Sequence, residues 1–332
     1  MTPYSAYKGP RIVVIGGGTG LSVLLRGLKR DENRLAAVVT VADDGGSSGI
    51  LREDLGMLPP GDVRSCLLAL ADEENAMQEI LRYRFKEGLA GQNIGNLMLA
   101  ALNDIYGSFE EAVARTADIL KVQGRVIPVT GEKVHLVAEL HNGSFVLGES
   151  RIPGVALKEA SPIKRVFLSP AEASASEAAC QAVAEADIVL IGPGSLYTSI
   201  IPNFLSRGLP AALSQSKGRK IYVCNVMTQP GETDGYSVRA HVEALLAYVG
   251  EGNVGHVLAN NRALDGNALS PYAADGAQQV LPDGEDREYM KKKGITMMES
   301  DFIETKKRYI RHDSAKIAEL LAQFSTSASS AM

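Results

Sequence analysis

Seven consecutive residues, Asp43-Asp44-Gly45-Gly46-Ser47-Ser48-Gly49, hold the densest set of chemically useful groups in the chain. They follow an apolar run, Val38 to Ala42. Adjacent carboxylates at a strand's end, Asp43 and Asp44, can read ribose hydroxyls or hold a Mg²⁺ ion against phosphates. Gly45 and Gly46 permit backbone angles that turn successive N–H groups inward as an anion nest, and Ser47 and Ser48 add hydroxyls. A solvated turn accounts for an Asp-Gly pair but not for a run of this length after a core strand. Upstream, the apolar run Arg11 to Ile15 enters Gly16-Gly17-Gly18-Thr19-Gly20. There, backbone N–H groups can approach an anion unobstructed at a helix start. Gly16 and Gly18 match the first two glycines of a dinucleotide fingerprint, while Leu21 stands at the third, so a full NAD signature is absent. Both loops point to a phosphate-bearing ligand, a nucleotide above all.

Further junctions repeat the pattern. Ile188 to Ile191 runs into Gly192-Pro193-Gly194-Ser195, where the amides of Gly194 and Ser195 suit another phosphate or sugar contact. Asn225 to Thr233 follows another core strand and offers Asn225 and Thr228. In Pro59-Pro60-Gly61-Asp62-Val63-Arg64, Asp62 reads as a helix N-cap, and Arg64 faces either an anion or a surface partner. Gly91-Gln92-Asn93-Ile94-Gly95-Asn96 opens an apolar helix, with Asn96 able to hold a ligand or a glycine loop. All these loops fall at strand C-terminal ends, where open α/β sheets bind ligands.

Elements that position these loops are legible as strand-like runs alternating with helical patterns, the mark of a mainly parallel α/β sheet. Expected core strands are Ile12–Ile15, Ala37–Val41, Ile188–Ile191, Ile221–Asn225 and His256–Ala259. Expected helices include Leu21–Lys29, Asp62–Leu70, Ala76–Arg84, Ile94–Asn103, Phe109–Leu120, Ala173–Glu185 and Ser237–Val249. Residues 125–170 offer Val126–Val129, Val134–Leu140, Ser144–Leu147 and Arg165–Leu168 as four short strands, with Asn142-Gly143 as a hairpin turn, and read as a β-rich insertion. The expected organisation is a flexible leader over 1–9, a single α/β domain over 10–324 and a disordered tail over 325–332.

Composition narrows the function classes. With 332 residues, a net charge of −5 and basic runs no longer than Lys291-Lys292-Lys293, the chain lacks the clustered basic face that nucleic acid requires. Aromatic residues are 5% and Trp is absent, which removes stacking platforms for single strands. Cys66, Cys180 and Cys224 are scattered in apolar stretches and read as buried thiols. No apolar segment approaches the roughly 20 residues of a membrane span, and no signal peptide opens the chain, so a cytoplasmic protein is expected. No P-loop motif or zinc-protease motif occurs, and the five histidines are dispersed.

The ordered set IGGGTGLSVLLRGLK, VTVADDGGSSG, PPGDVR, GNLMLAAL, IGPGSLYTSIIPN and YVCNVMTQPGET resembles the YvcK/GlmR-type gluconeogenesis factors. More distantly, it resembles the CofD-like (2-phospho-L-lactate transferase) proteins. The likeness extends from about Arg11 to Phe324. It implies a Rossmann-like, three-layer CofD-like fold and a regulator of cell shape and wall-precursor synthesis during gluconeogenic growth. It further implies binding of UDP-N-acetylglucosamine, a fold able to accept NAD(P), and glutamine–fructose-6-phosphate aminotransferase as a partner. A homo-oligomer is expected. By the same resemblance, Tyr272 supplies an aromatic contact and Arg311 a basic contact to the UDP-sugar, and Ser314 stands where relatives carry a phosphorylatable Thr. Gln92-Asn93 stands where His-Ser is expected, which replaces a proton shuttle with an amide. A transferase using a nucleotide-activated donor and Mg²⁺ at Asp43 or Asp44 is the alternative class, with an NAD(P)-binding protein third.

Overall fold

The strand sequences of the core are apolar without alternation, as expected of strands covered on both faces. Ile12 to Ile15 and Leu35 to Val39 are all buried. In the computed structural model, which describes residues 9–29, 33–72, 76–87, 89, 91–306 and 309–329, these runs become β1 (Arg11–Gly16) and β2 (Arg34–Val39). They join β3 (Arg125–Pro128), β7 (Ile188–Ile191), β8 (Arg219–Val223), β9 (His256–Asn260) and β10 (Thr296–Ser300) in a seven-stranded sheet. Its order is β10-β9-β8-β7-β1-β2-β3, and every pairing is parallel. The chain therefore steps outward from β1 in one direction and later returns to β1's other side. That reversal makes the β1–β7 junction the topological switch point, where a crevice opens at the strand C-terminal ends.

The helix Gly18–Leu28 buries Leu21, Leu24, Leu25 and Leu28 on one face, each worth about 1.5–3 kcal/mol relative to exposure. It packs against the helices Gly61–Leu70 and Ser314–Ser329. The second contact is unusually close, since a Cβ at Gly27 would lie 2.4 Å from Ser314 Cβ. Ser314, the expected modification position, is thus packed against the Gly27 backbone. Of the leader expected over 1–9, residues 1–8 lie outside the described residues; of the tail expected as disordered over 325–332, residues 325–329 instead continue the helix Ser314–Ser329, and 330–332 lie outside the described residues.

Three sequence expectations are revised. Val126–Val129 was expected in the β-rich insertion, but Arg125–Pro128 is the edge strand of the main sheet. Only β4 (His135–Leu140), β5 (Phe145–Leu147) and β6 (Ile163–Ser169) form the separate antiparallel sheet, in the order β5-β4-β6. Local propensity cannot distinguish these cases, because the partner of 125–128 is β2, remote in sequence. The acidic run is extended only as far as Gly45; from Gly46 it is a helix, Gly46–Leu55. Asp62, expected as an N-cap, lies inside the first turn of Gly61–Leu70, with Pro60 at the cap. The expected hairpin at Asn142-Gly143 is present, with Gly143 at φ 88°.

Candidate functional site

Two glycine loops meet at the switch point. A Cβ at Gly20 would lie 2.9 Å from the Pro193 carbonyl oxygen, and one at Gly194 would lie 3.2 Å from that of Gly17. Gly20 thus provides the close backbone approach that Leu21 at the fingerprint's third position denies. Asn203, buried in the following helix, donates from Nδ2 to the Gly16 carbonyl at 3.3 Å and ties the two loops together from behind. A third loop, after β8, joins them where Gln229 Nε2 donates to Ser195 Oγ at 2.7 Å.

A hairpin closes the far wall. Strands β11 (Ile303–Lys306) and β12 (Tyr309–His312) pair antiparallel. Ile303 and Ile310 pack with Val226, Met227 and Ala277 in a small apolar cluster of their own. Tyr272, on the helix Gly266–Ala274, accepts the Ile310 N–H at its hydroxyl, 2.7 Å away. His312 Nε2 lies 2.9 Å from the Cys224 carbonyl oxygen, and burial lowers its pKa, so a neutral ring donates there. The result is a cleft of about 390 Å³, within the range of small-molecule sites. Gly17, Gly18, Thr19, Gly194, Ser195, Asn225, Tyr272 and Arg311 all line it, as do Ser199, Gln229 and His312, which sequence reasoning did not select. Gly16 ends β1 and Gly192 follows β7, and neither lines the cleft. Thr228 pins its loop instead, accepting the Gln278 N–H at Oγ1 (2.8 Å) while its own N–H donates to the Gln278 carbonyl (2.7 Å).

The acidic run occupies the other side of the first glycine loop, and its two carboxylates diverge. Asp44 Oδ1 accepts the Ser150 N–H at 2.8 Å, clamping the run to the antiparallel insertion. Asp43 Oδ1 accepts the Gly45 N–H at 2.9 Å, while Oδ2 lies 3.0 Å from where a Gly61 Cβ would stand. Asp43 is therefore turned toward the start of the helix Gly61–Leu70, where its charge acts on Asp62, while Asp44 is turned toward the insertion. Among the described residues, no three His, Cys, Asp or Glu side chains converge to hold a metal. Gly45 and Gly46 form the entry to the helix, and Gly46 takes φ 47°. Ser48 Oγ accepts the Gly61 N–H. Ser47 Oγ donates to Gln92 Oε1 at 2.6 Å and accepts from Asn96 Nδ2 at 3.0 Å. Although Gly45 to Gly49 spells the G-x-S-x-G spacing, Ser47's partners are amides, not an imidazole base. Gln92 and Asn93 act structurally, the latter capping its helix by accepting the Asn96 N–H.

Residues far apart in sequence complete a carboxylate chamber here. Asp62 accepts the Gly18 N–H, and burial with Asp43 alongside raises its pKa to about 6. Glu149, brought by the insertion, is pushed to about 8 by burial and then by Asp43 and Glu232. Burial raises Glu232 to about 7, against hydrogen bonds from Thr198 Oγ1 (3.1 Å) and the Tyr197 N–H (3.2 Å). Arg64 is the facing cation; burial, then Arg84, lowers its pKa to about 10. Its Nε and Nη1, and Asn96 Oδ1, are buried without a hydrogen-bond partner among the described residues. No sequence pattern marks Glu149 or Glu232, because each joins only by tertiary contact.

The chain is similar to known proteins along nearly its whole length. A protein of Thermoanaerobacterium thermosulfurigenes named as a gluconeogenesis factor is 50% identical over 322 residues, covering 97% of this chain and 98% of its own. The gluconeogenesis factor of Bacillus subtilis is 42% identical, over 94% of this chain and 97% of its own. A crystal structure of a Bacillus halodurans protein superposes with a TM-score of 0.90 at 41% identity, covering 95% of this chain and 100% of that one. The family described as 2-phospho-L-lactate transferase CofD matches residues 12–303. The chain therefore belongs to the CofD family, with gluconeogenesis factors as its relatives along nearly its whole length.

Proposed function

We propose that this protein is a nucleotide-sugar-binding regulator that senses UDP-N-acetylglucosamine in the cytoplasm and supports cell shape and wall-precursor synthesis during gluconeogenic growth. The observation that carries this reading is the convergence of Tyr272 and Arg311, from separate elements, on the cleft bordered by both glycine loops. A guanidinium fork pairs well with diphosphate oxygens, glycine-loop amides suit the same anion, and Ser195, Asn225 and Gln229 supply neutral partners for sugar hydroxyls. NAD(P) shares the diphosphate and is the competing ligand. Regulation follows if the ligand binds two states of the protein unequally and so alters affinity for a partner enzyme, glutamine–fructose-6-phosphate aminotransferase in this reading. Calorimetric titration with UDP-N-acetylglucosamine, with and without Mg²⁺ and with NAD as competitor, tests it. Saturable binding that Arg311→Ala and Tyr272→Ala both weaken is expected; absent binding of the UDP-sugar overturns it.

The carboxylate chamber favours a second reading, a transferase moving a phosphoryl-linked group. Asp43 and Asp62 would hold Mg²⁺, which neutralises phosphate charge when bound, while the unused donors of Arg64 would steady an anionic group. Turnover of a nucleotide-linked donor that requires Mg²⁺ and is lost in Asp43→Asn supports this reading, and binding without turnover removes it.

A further inference from the structure

A second cavity, of about 440 Å³, opens between the helix Gly46–Leu55 and the antiparallel insertion, and it shares no lining residue with the cleft at the glycine loops. Its charged groups come from both walls. The helix brings Arg52 and Glu53, the chain just before β4 brings Lys133, and the short turn Glu149–Arg151 brings Arg151. Asp44 and His135 complete the polar lining. That three-residue turn serves two places at once. Glu149 belongs to the carboxylate chamber, the Ser150 N–H holds Asp44, and Arg151 lines this cavity.

Three cations stand here against two carboxylates, and Asp44 Oδ1 is already committed to the Ser150 N–H. Arg52 is half-buried; its Nη2 donates to the Val134 carbonyl, while Nη1 is buried without a hydrogen-bond partner among the described residues. A guanidinium donor left unpaired in this way carries a desolvation cost that a bound anion would offset. Burial, with Arg52 alongside, lowers the His135 pKa, so a neutral ring adds one donor and one acceptor. A Cβ at Gly56 would lie 3.1 Å from Lys133 Nζ, so this cation stands by the helix's C-terminal cap, with Arg52 in the last turn. Helix C-termini carry partial negative charge. An anion in the cavity therefore depends on side chains and not on the helix. Met57 and Leu58 are buried in the wall, and Leu147, 51% exposed, offers a carbon skeleton a surface to lie on. No Phe, Tyr or Trp lines the cavity, so a nucleobase finds no ring to stack on.

We propose that this cavity binds a phosphate monoester of a small sugar or polyol. Arg52, Lys133 and Arg151 take the phosphate, two guanidinium forks and one ammonium sharing its oxygens. Glu53 and Asp44 accept the hydroxyls, and Leu147 covers the carbon chain. The site stands apart from the UDP-sugar reading, because the two cavities have no residue in common.

Calorimetric titration of the full chain with ribose 5-phosphate, inorganic phosphate and ribose tests this. Saturable binding of ribose 5-phosphate is expected, with inorganic phosphate about tenfold weaker and ribose unbound. Lys133→Ala and Arg151→Ala, both at exposed side chains, should each weaken binding about tenfold. The double reversal Lys133→Glu with Arg151→Glu should abolish it. Arg52 is left in place, since its bond to the Val134 carbonyl joins the two walls. Circular dichroism verifies that each variant is folded. Arg311→Ala should leave ribose 5-phosphate binding unchanged, and the double reversal should leave UDP-N-acetylglucosamine binding unchanged, so failure at one cavity is read separately from failure at the other. Absent binding of ribose 5-phosphate, binding that survives the double reversal, or binding lost in Arg311→Ala overturns the proposal. Inorganic phosphate that binds as tightly as the ester overturns the sugar or polyol assignment.

Discussion

The two sides of the first glycine loop are built on opposite principles. The cleft side is open, with neutral hydroxyls and amides, backbone N–H groups and one guanidinium, Arg311. The chamber side is anionic, with Asp43, Asp62, Glu149 and Glu232 contributed by separate elements, and burial raises the pKa values of Asp62, Glu149 and Glu232. The loop serves both, since the Gly18 N–H that could face a phosphate is already accepted by Asp62. An anion at this loop therefore meets a negative field from behind, relieved by protonation of Asp62 or by a cation beside Asp43. This difference separates affinity, expected on the cleft side, from pH and metal dependence, expected on the chamber side.

The strongest test of that separation is Arg311→Ala. Loss of a charge-assisted contact to diphosphate is expected to cost about 1–3 kcal/mol, or roughly 5- to 150-fold in affinity, by calorimetry. Its pH dependence should match wild type, because the chamber is intact. Gly17→Ala should damage both sides at once. The added Cβ would lie 2.6 Å from Thr40 Cγ2 and 2.7 Å from Asp62 Oδ2, so a stability loss of about 1–3 kcal/mol is expected in urea unfolding. Should this variant be as stable as wild type, the tight coupling of the two sides is wrong.

Asp43→Asn and Asp44→Asn sharpen the comparison within the acidic run. Any Mg²⁺ effect on nucleotide affinity should disappear in the first and persist in the second, since Asp44 is committed to the Ser150 amide. Equal loss in both would restore the adjacent pair as the cation site.

The smallest effect expected is a pH slope of stability. Asp62, Glu149 and Glu232 have folded pKa values above their ordinary ones of 3.8 and 4.5. The folded protein thus holds protons that the unfolded chain releases. Their stabilising contribution is complete below the ordinary values and is lost as pH rises through about 6 to 8. The ligand-free Tm should fall across that window. Glu149→Gln should flatten the slope and raise Tm at its alkaline end by about 2 °C for each kcal/mol relieved. An unchanged slope would show that the carboxylates are better solvated than their burial implies.

Much of the cleft was legible in the sequence because its parts lie at strand–helix junctions, where local patterns are strong. Gly17, Gly194 and Asn225 each follow an apolar run that became a strand. The chamber was not legible: Glu149 sits in a short turn of the insertion and Glu232 in a turn after β8, neither near a recognisable pattern. Asp62 was recognised as important for the wrong reason, since capping is a local inference and its actual partner, Gly18, lies 44 residues earlier.

By itself the sequence determined the alternation of strands and helices, the glycine-rich junctions and the family, because hydrophobic periodicity and short-range steric demands are written in neighbouring residues. Tertiary structure alone decided that Arg125–Pro128 pairs with β2, that Asp43 and Asp44 face different ways, and that the hairpin carries Arg311 to the glycine loops. Each of these depends on which surfaces meet after the chain closes. Pairing energies, buried charge and backbone approach are properties of residues distant in sequence, and no local pattern encodes them.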